Sequence, residues 1–364
     1  MNVADLYKKK SLVEHVLDSP SMYIGCTEIY VQSMWIFDNE KNKISFREVE
    51  FSPAFLKIFD EALMYMCNNR ILESNGAIKI CINKEDKSIS VCECESGIPI
   101  IMHKKYKCWM PELIFGSAFN FNFENVGIKL VNIFSSKFVV EIVDEKNHKK
   151  YYQEYYNNSR KKTDPEITNI IDDVIGYTKI TFYPDFKRFN MDELSDEIYG
   201  LIKKRAYDVS AHLGKDIDVY FNNELLKVKT FEDLIKSHYD EPQVLIYEEI
   251  NDRWKVGVII DKSKKCKQHV SFVNGIWTYH CGSHVDYISS QIVKQVYSKL
   301  SSEGKSILTP ERITRHLTFF VSTIMDDPKF SSQTKEELTS KEESFGSACV
   351  ISDKFVNKLR DAGM

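Results

Sequence analysis

The strongest periodicity in the chain lies between residues 55 and 70. Phe55, Leu56, Ile58, Phe59, Ala62, Leu63, Met66 and Cys67 recur there at three- and four-residue spacing. Residues so spaced fall on one side of a 3.6-residue repeat, so the pattern predicts a helix over 55–69 with its apolar face in a core. Glu61, Tyr65, Asn68 and Asn69 fall on the other side. That side reads either as a solvated polar face or as one turned toward a ligand.

Downstream the period changes to two. Residues 77–82 and 88–94 alternate around a polar turn, which predicts a β-hairpin. Cys92 and Cys94, two apart, share one face of its second strand. Gly97 and Pro99 then break the strand. Residues 111–115, with proline at the start, and 126–134 predict short helices. Residues 137–143, 150–156 and 178–183 predict strands, and 193–213 a long helix closed by Gly214. The first fifty residues read as an arm and a loop with short strands at 34–37 and 44–49. Near residue 241 a new set begins. It comprises a hairpin of 254–260 with 269–273, a helix over 285–300, a strand over 317–324, a polar loop over 326–346 and a final helix over 353–361. The pattern predicts an α+β chain of two domains, 1–241 and 242–364.

The 364 residues suffice for two cores, and 43% hydrophobic with 28% charged residues is the balance of a globular protein. A net charge of −4 gives no overall pull toward nucleic acid, so a DNA contact must be local. Lys262, Lys264, Lys265 and Lys267 form one such cluster, which is otherwise a solvated hairpin tip. No apolar run approaches bilayer length, and the N-terminus has no signal-peptide pattern. Nine cysteines without a CxxC pair point to reduced thiols and to an intracellular location, nuclear or cytoplasmic. His280, Cys281 and His284 lack a second ligand pair at finger spacing, so no metal site is assigned.

The order of helix, hairpin, glycine–proline turn and glycine-started helix carries a family resemblance. The matching stretches are LVEHVLDSPSMYIG (12–25), FREVEFSPAFLKIFDEAL (46–63), SGIPI (96–100), PELIFG (111–116), GIKLVNIFSSKF (127–138), KKRAYDVSA (203–211) and FSSQTKEELTSKEESFG (330–346). In this order they resemble the N-terminal ATPase and transducer region of eukaryotic type IIA DNA topoisomerases, members of the GHKL (Bergerat-fold) group. The resemblance implies an ATPase-like α/β sandwich followed by a transducer of the ribosomal protein S5 type. It also implies ATP and Mg²⁺ as ligands, a homodimer closed by nucleotide, duplex DNA as partner, and no membrane. No strand-cleaving domain is recognised, so the chain alone is not expected to relax or cleave DNA.

By the same resemblance, Glu61 matches the general base that activates water. Asn69, Gly97, Thr178 and Tyr23 match nucleotide contacts. Gly127 and Lys129 match the phosphate-binding helix start. Gln333 and Lys335 match a loop that reaches the γ-phosphate. Other positions depart. The Mg²⁺-ligating asparagine is Tyr65, a poor ligand for a hard cation. The adenine-reading position is matched to Cys94, and the glycine after it to Glu95. The segment 117–126, which takes the place of a long glycine-rich ATP lid, contains no glycine. With metal, adenine and phosphate contacts all altered, the resemblance predicts a clamp in which ATP binding and hydrolysis are lost or strongly reduced. The alternatives are a divergent but active ATPase region and a GHKL module repurposed for protein interaction.

Overall fold

A computed structural model describes residues 10–68, 76–95, 97–116, 125–171, 174–239, 244–261, 268–302 and 309–363. Two short helices open it, α1 (Leu12–Asp18) and α2 (Ser21–Ile24), followed by the paired strands β1 (Tyr30–Asp38) and β2 (Lys43–Phe51). The strands are longer than the short ones expected within 34–49, because polar residues between apolar ones continue the pairing. Helix α3 (Pro53–Asn68) follows, as its periodicity requires. Then come β3 (Ala77–Asn83), β4 (Ser88–Cys94), α4 (Met110–Phe115) and α5 (Val126–Ile133). Strands β5 (Ser135–Asp144), β6 (Lys149–Tyr156), β7 (Lys161–Lys162), β8 (Glu166–Asn169) and β9 (Tyr177–Pro184) lead to the long helix α6 (Asp196–Leu213), capped by the Ser195 side chain. Strands β10 (Asp218–Phe221) and β11 (Glu224–Leu225) complete a nine-stranded sheet. Its order is β11-β10-β3-β4-β9-β5-β6-β7, with β8 also on β6.

Helices α3, α5 and α6 pack over one face of this sheet. The pleat sorts the central strands cleanly. Ile80, Val91, Ile180 and Val140 form one cross-strand row, each fully buried. The next row on that face is Ile78, Glu93, Thr178 and Ile142. The opposite face carries Lys79, Cys92, Lys179 and Glu141, only partly covered or exposed. Alternation thus places one carboxylate, Glu93, on the helix side of the sheet.

Helix α3 is joined to α6 by buried charges. The guanidinium of Arg205 donates twice to Asp60 Oδ1, at 2.9 and 2.6 Å, and once to Asp208 at 3.2 Å. Lys204 donates to the same Asp208 carboxylate at 2.9 Å. Asp60 directly precedes Glu61, so this network fixes the helix that carries the candidate base.

The second compact unit comprises residues 228–364 with the 38–45 turn. The division falls at 227/228 rather than at 241, because α7 (Phe231–Lys236) belongs to the later core. Its Phe231 ring lies edge-on to Phe272 at 6.2 Å and tilted against Tyr247. The remaining elements are β12 (Leu245–Asn251), β13 (Trp254–Ile260), β14 (Gln268–Val273), β15 (Ile276–Trp277), α8 (Ser283–Ser302), α9 (Pro310–Arg315), β16 (Leu317–Thr323) and α10 (Asp353–Asp361). The sheet order is β12-β13-β16-β14-β15, with β14 and β16 parallel. The segment expected as a polar loop, 326–346, is tied down by buried Leu338 and Phe345. Among the described residues no helix is long and apolar enough to cross a membrane.

Candidate nucleotide site

Glu61 lies two turns into α3 and forms an i,i+4 ion pair with the Lys57 ammonium, whose side chain is only 6% exposed. Beside the carboxylate is the first turn of α5. A Cβ placed on Gly127 would fall 1.8 Å from Glu61 Oε2, so any larger residue there would push the carboxylate aside. The carboxylate therefore stands at a helix N-terminus, where the dipole favours negative charge. Lys129 is buried one turn into α5, and burial pulls its ammonium below the ordinary lysine range. A buried ammonium beside the N-terminal turn of a helix suits an anion.

The far end of β4 forms the second part. Thr178 is buried, and its hydroxyl accepts the Ile98 N–H at 3.0 Å. Asp144 Oδ2 accepts the Ile100 N–H at 2.7 Å. Gly97 passes so close to β5 that a Cβ would fall 1.9 Å from the Val143 carbonyl oxygen. The turn 97–100 is thus held from both sides, and its glycine is a steric requirement. The Glu95 N–H donates to the Gly176 carbonyl at 2.7 Å, with Glu95 at φ +91°. Glu95 keeps a backbone conformation suited to glycine while carrying an exposed side chain.

The match of the adenine-reading position to Cys94 requires correction. Cys94 lies opposite Ala77 and Tyr177, on the sheet face away from α3. The group on the helix side is Glu93, 5% exposed and paired in register with Thr178. A carboxylate there accepts hydrogen bonds from an amino group, which a thiol does poorly. The alternation of residues 88–94 already contained this signal, since a face shared by Cys92 and Cys94 leaves Glu93 on the other. Lys57 and Asp144 were also missed. Lys57 stands one turn before Glu61, a spacing that could have found it.

Tyr65, one turn after Glu61, is buried against Phe115, with ring centroids 5.7 Å apart at 69°. Burial pushes its phenol far above the ordinary tyrosine range, so it is neutral at physiological pH. A neutral phenol packed on an aromatic ring does not fit as a ligand for Mg²⁺. Among the described residues no group of three or more His, Cys, Asp or Glu side chains is arranged to hold a metal ion. His280 faces Glu336 at 3.3 Å, whereas His284 turns inward to the Thr278 hydroxyl at 3.2 Å. Asn69 and the lid segment 117–124 lie outside the described residues, as does the cluster Lys262, Lys264, Lys265 and Lys267.

Tyr23 is hydrogen-bonded to His15 Nδ1 at 3.0 Å. In the second unit, Gln333 is exposed and Lys335 half-buried at φ +60°. The neighbouring Glu336 anchors this loop, accepting the Tyr279 hydroxyl at 2.5 Å while its carbonyl accepts the His280 N–H at 3.0 Å.

A family model described as DNA gyrase B matches residues 219–363. DNA topoisomerase 2 of Arabidopsis thaliana is 37% identical over 385 residues, covering 100% of this chain and 26% of the relative. DNA topoisomerase 2 of Drosophila melanogaster is 36% identical over 386 residues, again covering 100% and 26%. The chain thus spans about a quarter of the length of these curated relatives. The solved ATPase region of Saccharomyces cerevisiae topoisomerase II is 34% identical with a TM-score of 0.88, covering 99% of this chain and 97% of that one. The ATPase and transducer domains of topoisomerase II from Balamuthia mandrillaris also give 0.88, at 32% identity, covering 100% and 96%. The 43K ATPase domain of Thermus thermophilus gyrase B, at 17% identity and TM-score 0.62, is alike in fold alone over 96% of this chain and 90% of that one.

Proposed function

The chain belongs to the family of the ATPase and transducer region of type IIA DNA topoisomerases, and from that premise we propose that it is a divergent, slowly hydrolysing, nucleotide-gated clamp acting on duplex DNA. The observation that carries this reading is the Glu61 carboxylate, paired with Lys57 and set against Gly127 at the start of α5. A carboxylate beside an anion-favouring helix start is what activation of water next to a phosphate requires. Glu61 takes a proton from the attacking water. Lys129 and the N–H groups of α5 take up phosphate charge. Glu93 accepts from the adenine amino group, and Thr178 and Gly97 shape the same end of the pocket.

This reading departs from the loss of binding that the sequence alone predicts. Its reason is Glu93, a carboxylate on the helix side where a weakly bonding thiol was expected. Reduced turnover is retained, because Tyr65 supplies neither an amide oxygen nor a charge at the metal-ligating position. Gln333 and Lys335 are assigned to the γ-phosphate by family resemblance, and so are the homodimer, DNA as partner, and a nuclear or cytoplasmic location.

Calorimetric titration with a non-hydrolysable ATP analogue tests the adenine assignment. Micromolar binding is expected for the natural chain. Glu93→Gln keeps an acceptor and should bind within a few-fold, whereas Glu93→Ala should weaken binding by about 10- to 100-fold, the value of a buried hydrogen bond. Equal binding by the alanine variant would remove Glu93 from the site. No binding by the natural chain would return the fold to a scaffold role.

A further inference from the structure

We propose that Cys92 and Cys94 form a peroxide-sensitive thiol couple on the outer face of the central sheet, with Cys94 as the attacking nucleophile and Cys92 as the resolving thiol. The proposal stands apart from the nucleotide reading, since the couple is on the face that α3 does not cover. The two sulfurs lie 3.7 Å apart and are hydrogen-bonded, both half-buried. Register places Lys79 of β3 and Lys179 of β9 on either side of Cys92. Ala77 and Tyr177 flank Cys94. Cys94 ends its strand, has the small Ala77 on one side and is only half-buried, which leaves it open to a small reagent.

The hydrogen bond between the sulfurs favours Cys94 as the thiolate. The bond from Cys92 holds the Cys94 thiol down to about 7 against the effect of burial, and Lys79 pulls the same way. Glu93, on the other face, and the neighbouring Glu95 oppose it. The Cys92 thiol is driven upward by the same hydrogen bond and by burial, so it remains the proton donor. The neighbouring rows also carry Lys179, paired with Glu141 at 2.7 Å, the phenols of Tyr177 and Tyr220, and the Asp218 carboxylate across Ala77 from Cys94.

The chemistry balances with hydrogen peroxide as the oxidant. The Cys94 thiolate attacks one peroxide oxygen, and the O–O bond breaks. The leaving hydroxide takes a proton and departs as water, leaving Cys94 as a sulfenic acid. The Cys92 sulfur then attacks the Cys94 sulfur, the S–O bond breaks, and a second water leaves with the Cys92 proton. Two thiols and one peroxide become one disulfide and two waters. The sulfurs must close to about 2.05 Å. Cys94 is the last residue of β4 and Glu95 already leaves the strand, so the movement falls at its end.

Cys26 is an exposed thiol and serves as an internal control. With limiting iodoacetamide at pH 7 and peptide mapping, Cys94 should be labelled about tenfold faster than Cys26, from its larger thiolate fraction. Its rate should titrate with a midpoint near 7. In Cys92→Ala the midpoint should rise toward the ordinary thiol value. Dimedone should then trap a Cys94 sulfenic acid after peroxide treatment. In the natural chain peroxide should instead give a peptide lighter by two hydrogens, with little dimedone adduct. Faster labelling of Cys26, or equal dimedone trapping in both proteins, would overturn the proposal.

Discussion

Glu95 carries a side chain where the backbone favours none. At φ +91° an L-residue is strained, typically by about 1–3 kcal/mol, and the cost is borne beside the turn that carries Gly97. Glu95→Gly should therefore raise the free energy of unfolding by about 1 kcal/mol, after the loss from greater unfolded-state freedom. A denaturant titration would read this as a higher midpoint at unchanged slope, and a lower midpoint would remove the strain argument. Tyr65 makes the complementary case. Tyr65→Asn restores an amide oxygen one turn after Glu61. It should increase ATP turnover and its dependence on Mg²⁺, at some loss of stability from the missing ring against Phe115. Turnover unchanged over a magnesium series would show that this position does not limit the reaction. Much of this chemistry was legible in the residues. Glu61, Gly97, Gly127 and Thr178 were named through the family resemblance, and the structure sets Glu61 against Gly127 and Thr178 beside the 97–100 turn. Glu93 was misread because motif matching counts along the chain, whereas the pleat decides which side chain enters the pocket.

The helix α3 was legible because its apolar stripe is long and unbroken. What fixes its position was not, since Arg205 and Asp208 lie far along the chain in α6 and meet Asp60 only in three dimensions. Arg205→Met would strip Asp60 of its guanidinium partner and leave Asp208 with Lys204. It should cost about 3–5 kcal/mol, as for one-sided removal of a buried ion pair. An effect below about 1 kcal/mol would mean the network is replaceable by apolar packing. In the second unit His284 is fully buried. Burial and the nearby His269 hold its imidazole down to about 3. Its folded value is depressed below an unfolded value near 6.5, so the folded state binds fewer protons below that pH. Its contribution is fully present above pH 6.5 and is lost progressively as pH falls toward 3. Thermal midpoints measured from pH 7.5 to 5 should fall for the natural chain and less for His284→Gln. Parallel curves would assign the pH dependence to other groups. The unit boundary was placed too late in the sequence because α7 is only six residues long and its apolar positions show no extended period.

The chain forms two compact units, each with its own sheet and core. Its resemblance to topoisomerase clamps covers both. If it closes as a nucleotide-gated homodimer, a non-hydrolysable ATP analogue should shift its mass in analytical ultracentrifugation from one chain toward two, and Glu93→Ala should shift it less. A mass independent of nucleotide would separate the fold from the gate. The account rests above all on a base that still works beside an altered metal position. Steady-state ATP turnover of the natural chain and of Glu61→Gln, purified in parallel, addresses that claim without reference to DNA or dimer state. We expect slow but measurable turnover in the natural chain, falling by about 10²- to 10⁴-fold in the variant, the usual worth of a general base. Turnover equal in both proteins, or absent from the natural chain, would contradict the assignment of Glu61.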